Sequence, residues 1–215
     1  MKRTLLGKRI LLADDHAMVR LGFRALLEGE GCAIVGEADA GESALRCHAE
    51  LQPDLLIMDV SMPGMGGLGA LERLRSTQPQ ARILMLSAHH DEVIPVRALR
   101  LGASGYLCKR AMPEEFLKAV ATVLRGERYI DRELASMLAL AQFSGAANPL
   151  ESLTERELAV FLKLAMGRTV NEIAEQFCLG QSTVGTHLYH IKQKLNVRNV
   201  AEMTLVAVRA RLLEA

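Results

Sequence analysis

Five residues in the first half of the chain, Asp14, Asp15, Asp59, Ser87 and Lys109, are of the types that phosphoryl transfer to a carboxylate requires. They stand at the ends of four short apolar runs: Ile10-Leu11-Leu12-Ala13, Leu55-Leu56-Ile57-Met58, Ile83-Leu84-Met85-Leu86 and Gly105-Tyr106-Leu107-Cys108. Three carboxylates brought to one place repel one another unless a cation sits among them, and all-oxygen ligands with room for water suit Mg²⁺. Asp59 is then placed as a nucleophile toward phosphorus, forming an acyl phosphate. Such a transfer needs position and charge neutralisation more than acid or base, a role that fits Mg²⁺ together with Lys109. The Ser87 hydroxyl can hydrogen-bond the new phosphoryl oxygens and report their presence to the segment that follows it.

For these groups to meet, the apolar runs must be strands of one sheet. Strands are expected over 9–13, 33–37, 55–59, 82–87 and 105–108, with helices between and after them over 18–28, 41–51, 67–76, 92–101 and 113–125. Alternating strand and helix predicts an α/β fold, a doubly wound five-stranded parallel sheet of order 2-1-3-4-5 with right-handed crossovers. The carboxyl ends of all its strands share one edge, which is where ligands bind. Taken singly, the aspartates have local uses as helix caps or turn formers before Ser61-Met62-Pro63-Gly64, and Ser87 and Lys109 could be surface residues. Their joint placement behind four separate strands outweighs those uses.

The remainder is helical. A short helix is expected over 132–142 and a linker over 143–149. Thr154 with Glu157, and Thr169 with Glu172, form two capping-box signatures. Gly180-Gln181-Ser182 makes a turn, and in 183–195 the residues Val184, Leu188, Ile191 and Leu195 keep the spacing of one buried helical stripe. Two short helices about a tight turn make a helix-turn-helix, and a last helix over 200–212 closes a small all-α domain. The expected organisation is 1–127 for the first domain, 128–148 for the linker with its short helix, and 149–215 for the second domain.

Composition narrows the function classes. The chain has 215 residues and a net charge of +1, so no overall field announces a nucleic-acid partner. Locally, no acid occurs from Gln176 to Ala201, where Lys192, Lys194 and Arg198 stand with His187 and His190. That is a basic face. Cys32, Cys47, Cys108 and Cys178 lack metal-site spacing and read as small core residues in a reducing compartment. Gly7-Lys8-Arg9 breaks the opening apolar run before it reaches signal length, and no stretch is long and uncharged enough for a bilayer. The expectation is a cytoplasmic protein with no membrane partner.

Asp14-Asp15-His16, the run Met58-Asp59-Val60-Ser61-Met62-Pro63-Gly64, Leu86-Ser87-Ala88 and Leu107-Cys108-Lys109 resemble the receiver domain of bacterial two-component response regulators. Leu153-Thr154-Glu155-Arg156-Glu157, Asn171-Glu172-Ile173-Ala174, Ser182-Thr183-Val184 and Lys194-Leu195-Asn196-Val197 are similar to the LuxR-type DNA-binding domain. Together they resemble the NarL/FixJ family and, within it, GacA/UvrY-like regulators. The resemblance implies Asp59 as phosphoacceptor, Mg²⁺ held by Asp14, Asp15, Asp59 and the Ser61 backbone carbonyl, and Ser87 and Lys109 on the phosphoryl group. It also makes Tyr106, a core residue on its own sequence context, an aromatic switch beside Ser87.

In the second domain the resemblance makes 183–195 the recognition helix, with Thr183, Gly185, Thr186, His187, Tyr189, His190, Lys192, Lys194 and Arg198 facing DNA. Lys192, Lys194 and Arg198 are expected at phosphates. The implied partners are a sensor histidine kinase, promoter DNA and a second copy of the chain when phosphorylated. The protein would be a phosphoacceptor and transcription regulator, with enzyme action limited to self-phosphotransfer and autodephosphorylation.

Two departures stand out. Lys109 is followed by Arg110 where many receivers have a cis proline, and a cis bond without proline costs about 3 kcal/mol. Gly185 occupies a position where many relatives carry a long base-reading side chain, which leaves readout to Thr183, Thr186, Tyr189 or DNA shape. A haloacid-dehalogenase-like phosphatase would share the aspartyl nucleophile, but its second acid would fall at Ser61. A regulator working without phosphate is the remaining alternative, and the full set of site residues argues against it.

Overall fold

The fold is described from a computed structural model, which covers residues 2–88, 93–130, 149–177, 179–209 and 212. Two compact units make up the chain. In the first, strands and helices alternate as β1 (Arg9–Ala13), α2 (Ala17–Gly29), β2 (Ala33–Ala38), α3 (Gly41–Leu51), β3 (Leu55–Asp59), α4 (Gly66–Thr77), β4 (Ile83–Ser87), α5 (Val93–Arg100), β5 (Gly105–Cys108), α6 (Pro113–Leu124) and β6 (Tyr129–Ile130), after a short α1 (Lys2–Leu5). All strand pairs are parallel and the order is β2-β1-β3-β4-β5-β6.

The doubly wound α/β architecture is as expected, but the sheet has six strands rather than five. Tyr129–Ile130 adds to the free edge of β5, with the Tyr129 amide donating to the Ser104 carbonyl at 3.0 Å. Two residues are too few to show alternation, so this strand leaves no trace in the pattern. The turn α1 was likewise unforeseen. It seats Leu5 in the core at zero exposure, and Gly7, at φ +73°, takes the chain into β1.

Every residue of β3 and β4 is buried. That is the signature of parallel strands covered by helices on both faces, and it explains why they read as unbroken apolar runs. Truncating one such side chain, Leu56→Ala for instance, is expected to cost about 2–5 kcal/mol. On one face Phe23 of α2 stacks on Phe116 of α6 with ring centroids 4.5 Å apart, tying these helices together over Ile10, Leu12 and Leu107.

The helix expected over 132–142 and the linker over 143–149 lie outside the described residues, apart from Pro149. The second unit begins at a 3-10 turn, Pro149–Ser152, and continues as α7 (Glu155–Ala165), α8 (Val170–Gln176), α9 (Gln181–Leu195) and α10 (Val200–Arg209). Both capping boxes form: Thr154 Oγ1 accepts from the Glu157 amide and Thr169 Oγ1 from the Glu172 amide, while each glutamate accepts from the amide of its threonine. α9 packs on α7 and α8, and α10 on α7. Leu153, Phe161, Ile173, Val184, Ile191 and Met203 are fully buried between them.

Leu188 and Leu195, expected to complete the buried stripe of α9, are only half-buried. Val184 and Ile191 lie seven residues apart on one line of the helix, and that line alone meets the core. The flanking leucines sit on its shoulder. All peptide bonds among the described residues are trans, that of Lys109-Arg110 included.

Candidate functional site

Register assembles the first site. Ala13 pairs with Met58, so Asp14 and Asp59 leave the sheet side by side. Asp59 pairs with Leu86, and Ser87 with Cys108, so Ser87 and Lys109 emerge along the same edge. The Lys109 amide donates to the Ser87 carbonyl at 2.8 Å. Lys109 Nζ lies 2.6 Å from Asp14 Oδ2 and 2.8 Å from Asp59 Oδ2, bridging the two carboxylates. Asp14, Asp59 and Ser87 are buried, whereas Asp15 is open to solvent.

His16 joins the cluster. Its amide donates to Asp14 Oδ1 at 2.9 Å, and its ring Nδ1 stands 2.6 Å from Asp15 Oδ1. One ligand atom from each of Asp14, Asp15, His16 and Asp59 falls within a 4.8 Å group. Arg20 supports the cluster from α2, donating to the Asp14 carbonyl and, at 2.8 Å, to Glu37 Oε2.

The electrostatics follow from burial. Desolvation pushes the Asp59 carboxyl above its ordinary value, opposed by the Lys109 ammonium and increased by the charge of Asp14. Burial acts against the Lys109 ammonium, but Asp59 and Asp14 outweigh it and hold the amine above its usual range. Three carboxylates thus face one cation. The donor set is hard and oxygen-rich, so the residues fit a divalent cation of the Mg²⁺ class.

The loop after Asp59 is shaped by glycine and by one acid. Gly64 and Gly66 have φ +73° and +70°. A Cβ on Gly67 would stand 2.0 Å from the Asp59 carbonyl oxygen, so only glycine lets α4 begin this close to the strand end. Glu42 Oε1 on α3 accepts from the Met65 amide at 3.0 Å and pins the loop from outside. Ser61 is exposed in this loop and its amide points to the Asp59 carboxylate. Tyr106 is not among the clustered side chains; it is buried in β5, paired with Met85 and Ile130.

In the second unit α9 presents Thr183, Thr186, Tyr189 and His190 to solvent, with Gly185, His187 and Lys192 half-buried and Arg198 exposed just beyond the helix. The Thr186 hydroxyl donates back to the Ser182 carbonyl at 3.0 Å. A Cβ on Gly185 would meet nothing within 4 Å, so this face is open where it lies. Burial lowers the His187 pKa, partly offset by the charge of Glu157. Lys194 turns inward: Nζ lies 2.6 Å from Oε2 of the buried Glu157.

Residues 10–121 match the family described as response regulator receiver domain, and residues 151–207 match bacterial regulatory proteins, luxR family. The chain is 39% identical over 210 residues to response regulator GacA of Pseudomonas aeruginosa, covering 96% of this chain and 98% of that one. It is also 39% identical over 209 residues to response regulator UvrY of Escherichia coli K12, covering 96% of each. The chain is a response regulator of the luxR family. The fold agrees with RcsB from Salmonella enterica serovar Typhimurium, solved bound to a promoter in the presence of phosphomimetic BeF3⁻, at TM-score 0.62 and 26% identity over 94% of this chain and 99% of that one.

Three residues of this response regulator escaped the sequence reading. His16 was visible in the Asp14-Asp15-His16 motif but carried no assigned role. Glu42 sits 17 residues before Asp59, and nothing in a one-dimensional pattern connects it to the loop. Glu157 was read as a capping-box acid, which it is, but its second bond to Lys194 spans 37 residues. Burial would raise its carboxyl; Lys194 and the Thr154 amide hold it below the usual carboxylate range.

Proposed function

We propose that this response regulator accepts a phosphoryl group on Asp59 from a sensor histidine kinase and controls promoter binding through α9. One observation carries the reading: a largely buried Lys109 side chain places its ammonium between Asp14 and Asp59 at adjoining strand ends, beside an exposed acid. Asp14, Asp15 and Asp59, with the Ser61 carbonyl, would hold Mg²⁺. When bound, Mg²⁺ would neutralise charge on the transferring oxygens and orient them.

The chain's own residues supply the rest. The Asp59 carboxylate attacks phosphorus as the P–N bond of the kinase phosphohistidine breaks, leaving an acyl phosphate. Lys109 gives up part of its contact with Asp59 to meet the new oxygens. Ser87 donates its hydroxyl to them, drawing on the segment that follows β4, and Tyr106 moves as the switch beside it. The added charge shifts the balance between two states only by its differential interaction with them, so some DNA binding without phosphate is expected.

Thr183, Thr186, Tyr189 and His190 would meet DNA with Gly185 and His187, while Lys192 and Arg198 are the phosphate-contact candidates; Lys194, expected beside them, has its ammonium held by Glu157. A homodimer formed on phosphorylation would set two α9 helices on the half-sites of an inverted repeat. Residues 1–127 would be the receiver, 128–148 the linker and 149–215 the DNA-binding domain. The protein would act in the cytoplasm, as an acceptor rather than a turnover enzyme. Among the described residues no helix is long and apolar enough to cross a membrane.

Intact mass after incubation with Mg²⁺ and acetyl phosphate tests the reading. A labile gain of one phosphoryl group, absent in Asp59→Asn, is the expected result. No gain with any donor, or an equal gain in the variant, would remove the receiver chemistry and leave a phosphate-independent regulator.

A further inference from the structure

Parallel strands gather residues at both edges of a sheet, and the edge opposite Asp59 has its own charged cluster. Arg82, Ser104 and Arg128 each immediately precede a strand, β4, β5 and β6 respectively, so the three residues stand in a row along that edge. Arg75, in the last turn of α4, reaches the same place. Its Nη2 donates to Ser104 Oγ at 3.1 Å, and that oxygen also accepts from the Ile83 amide at 3.1 Å. Together these residues line a cavity of about 400 Å³. Small-ligand sites run from roughly 300 to 1,000 Å³.

The charge in this cavity is unbalanced. Its acid, Glu127, is already held by Arg125, whose Nε and Nη2 donate to the two carboxylate oxygens at 2.8 and 3.1 Å. Three further arginines line the space: Arg82 and Arg128 are exposed and, among the described residues, form no ion pair, while Arg75 also donates through Nη1 to the Pro79 carbonyl. Arg75 Nε is buried without a hydrogen-bond partner, beside Gly102, whose added Cβ would lie 3.1 Å from it. Burial and the charge of Arg128 both act to lower the Arg75 pKa, although guanidinium stays charged at any ordinary pH. Burial of Arg75 beside the like charge of Arg128 is costly, and an anion meeting the exposed Arg82 and Arg128 head groups relieves part of that cost.

We propose that this cavity is a binding site for a small phosphate-bearing anion, held by Arg75, Arg82 and Arg128 with the backbone around Ser104, and separate from the phosphoryl chemistry at Asp59. Guanidinium forks match the paired oxygens of a phosphate, and the volume admits a diphosphate or a phosphate ester of modest size.

The test is isothermal titration of pyrophosphate into the full chain at low salt, without divalent cations and with EDTA. The wild type and Asp59→Asn are expected to bind alike, since the site lies at the other edge. Arg82→Gln and Arg128→Gln are expected to weaken binding at least tenfold each while keeping the wild-type circular dichroism. Because Arg75 also braces Ser104, its replacement is left out of the decisive set. No heat of binding in the wild type, or binding undiminished in both arginine variants, would overturn the proposal. Equal binding of citrate would overturn its assignment to phosphate.

Discussion

Lys194, at the end of α9, gives its ammonium to Glu157, the buried acid in the first turn of α7, at 2.6 Å. The exposed helix is therefore tied to the core by a residue whose sequence context reads as a phosphate contact. Lys194→Gln is expected to lower the stability of the second unit by about 1–2 kcal/mol, the value of a charge-assisted hydrogen bond discounted for partial exposure. It should leave the salt slope of DNA binding unchanged. Lys192→Gln and Arg198→Gln should each reduce that slope by about one with little loss of stability. A slope that falls in Lys194→Gln would return this lysine to the DNA face.

The glycines of the loop after Asp59 make a paired prediction. Gly67→Ala drives a methyl into the Asp59 carbonyl and is expected to destabilise the first unit by about 1–3 kcal/mol, with slowed phosphoryl uptake. Two residues on, a Cβ at Gly69 meets its nearest neighbour, Met65, at 3.4 Å. Gly69→Ala should instead stabilise α4 by about 0.5–1 kcal/mol. Urea melts that place both variants on the same side of wild type would refute the packing argument.

Lys109 competes for the carboxylates that would bind a metal. Removing the ammonium in Lys109→Met is expected to tighten Mg²⁺ binding, at least about threefold given interaction energies of the order of 1 kcal/mol even in a high-dielectric setting. The same change should slow phosphorylation from acetyl phosphate more than tenfold, because the neutralising charge is gone. Weaker Mg²⁺ binding in titration calorimetry would show that Lys109 organises the acids rather than opposing a cation.

His48 of α3 is buried with its Nδ1 unpartnered, and burial holds its pKa below the ordinary value. A histidine depressed in the fold is fully compatible with it only above the unfolded pKa, near 6.5. As pH falls below that, the unfolded chain takes up a proton that the folded one refuses, and stability drops. The first unit should therefore lose stability from about pH 6.5 downward, and His48→Leu should flatten the dependence. Thermal midpoints at pH 7.5 and 5.5 for both proteins provide the measurement.

What could be read in advance follows from chain distance. The strands β1, β3, β4 and β5 announce themselves as runs of about four apolar residues that are buried along nearly their whole length, and the reactive residues end or directly follow them. The capping boxes at Thr154 and Thr169 are equally local, each pairing residues three positions apart. β6 was missed since two residues carry no period. Glu42 and Glu157 were missed for another reason: their partners Met65 and Lys194 are 23 and 37 residues away. Only the folded chain makes them neighbours. Half-burial of Leu188 and Leu195 depends on how far α7 and α8 extend over α9, which periodicity does not encode.

The pairing of Ser87 with Cys108 limits how the chain can lengthen. One residue inserted into β5 would turn Lys109 to the opposite face of the sheet, away from Asp14 and Asp59, while the crossover helices could gain a turn without disturbing either. Tolerance to insertion should thus be mapped by element: the strands behave as a fixed ruler and the helices as slack. A scan of single-residue insertions through 83–113 would trace this ruler as two bands of inactive variants, over β4 and β5, separated by tolerated positions in α5.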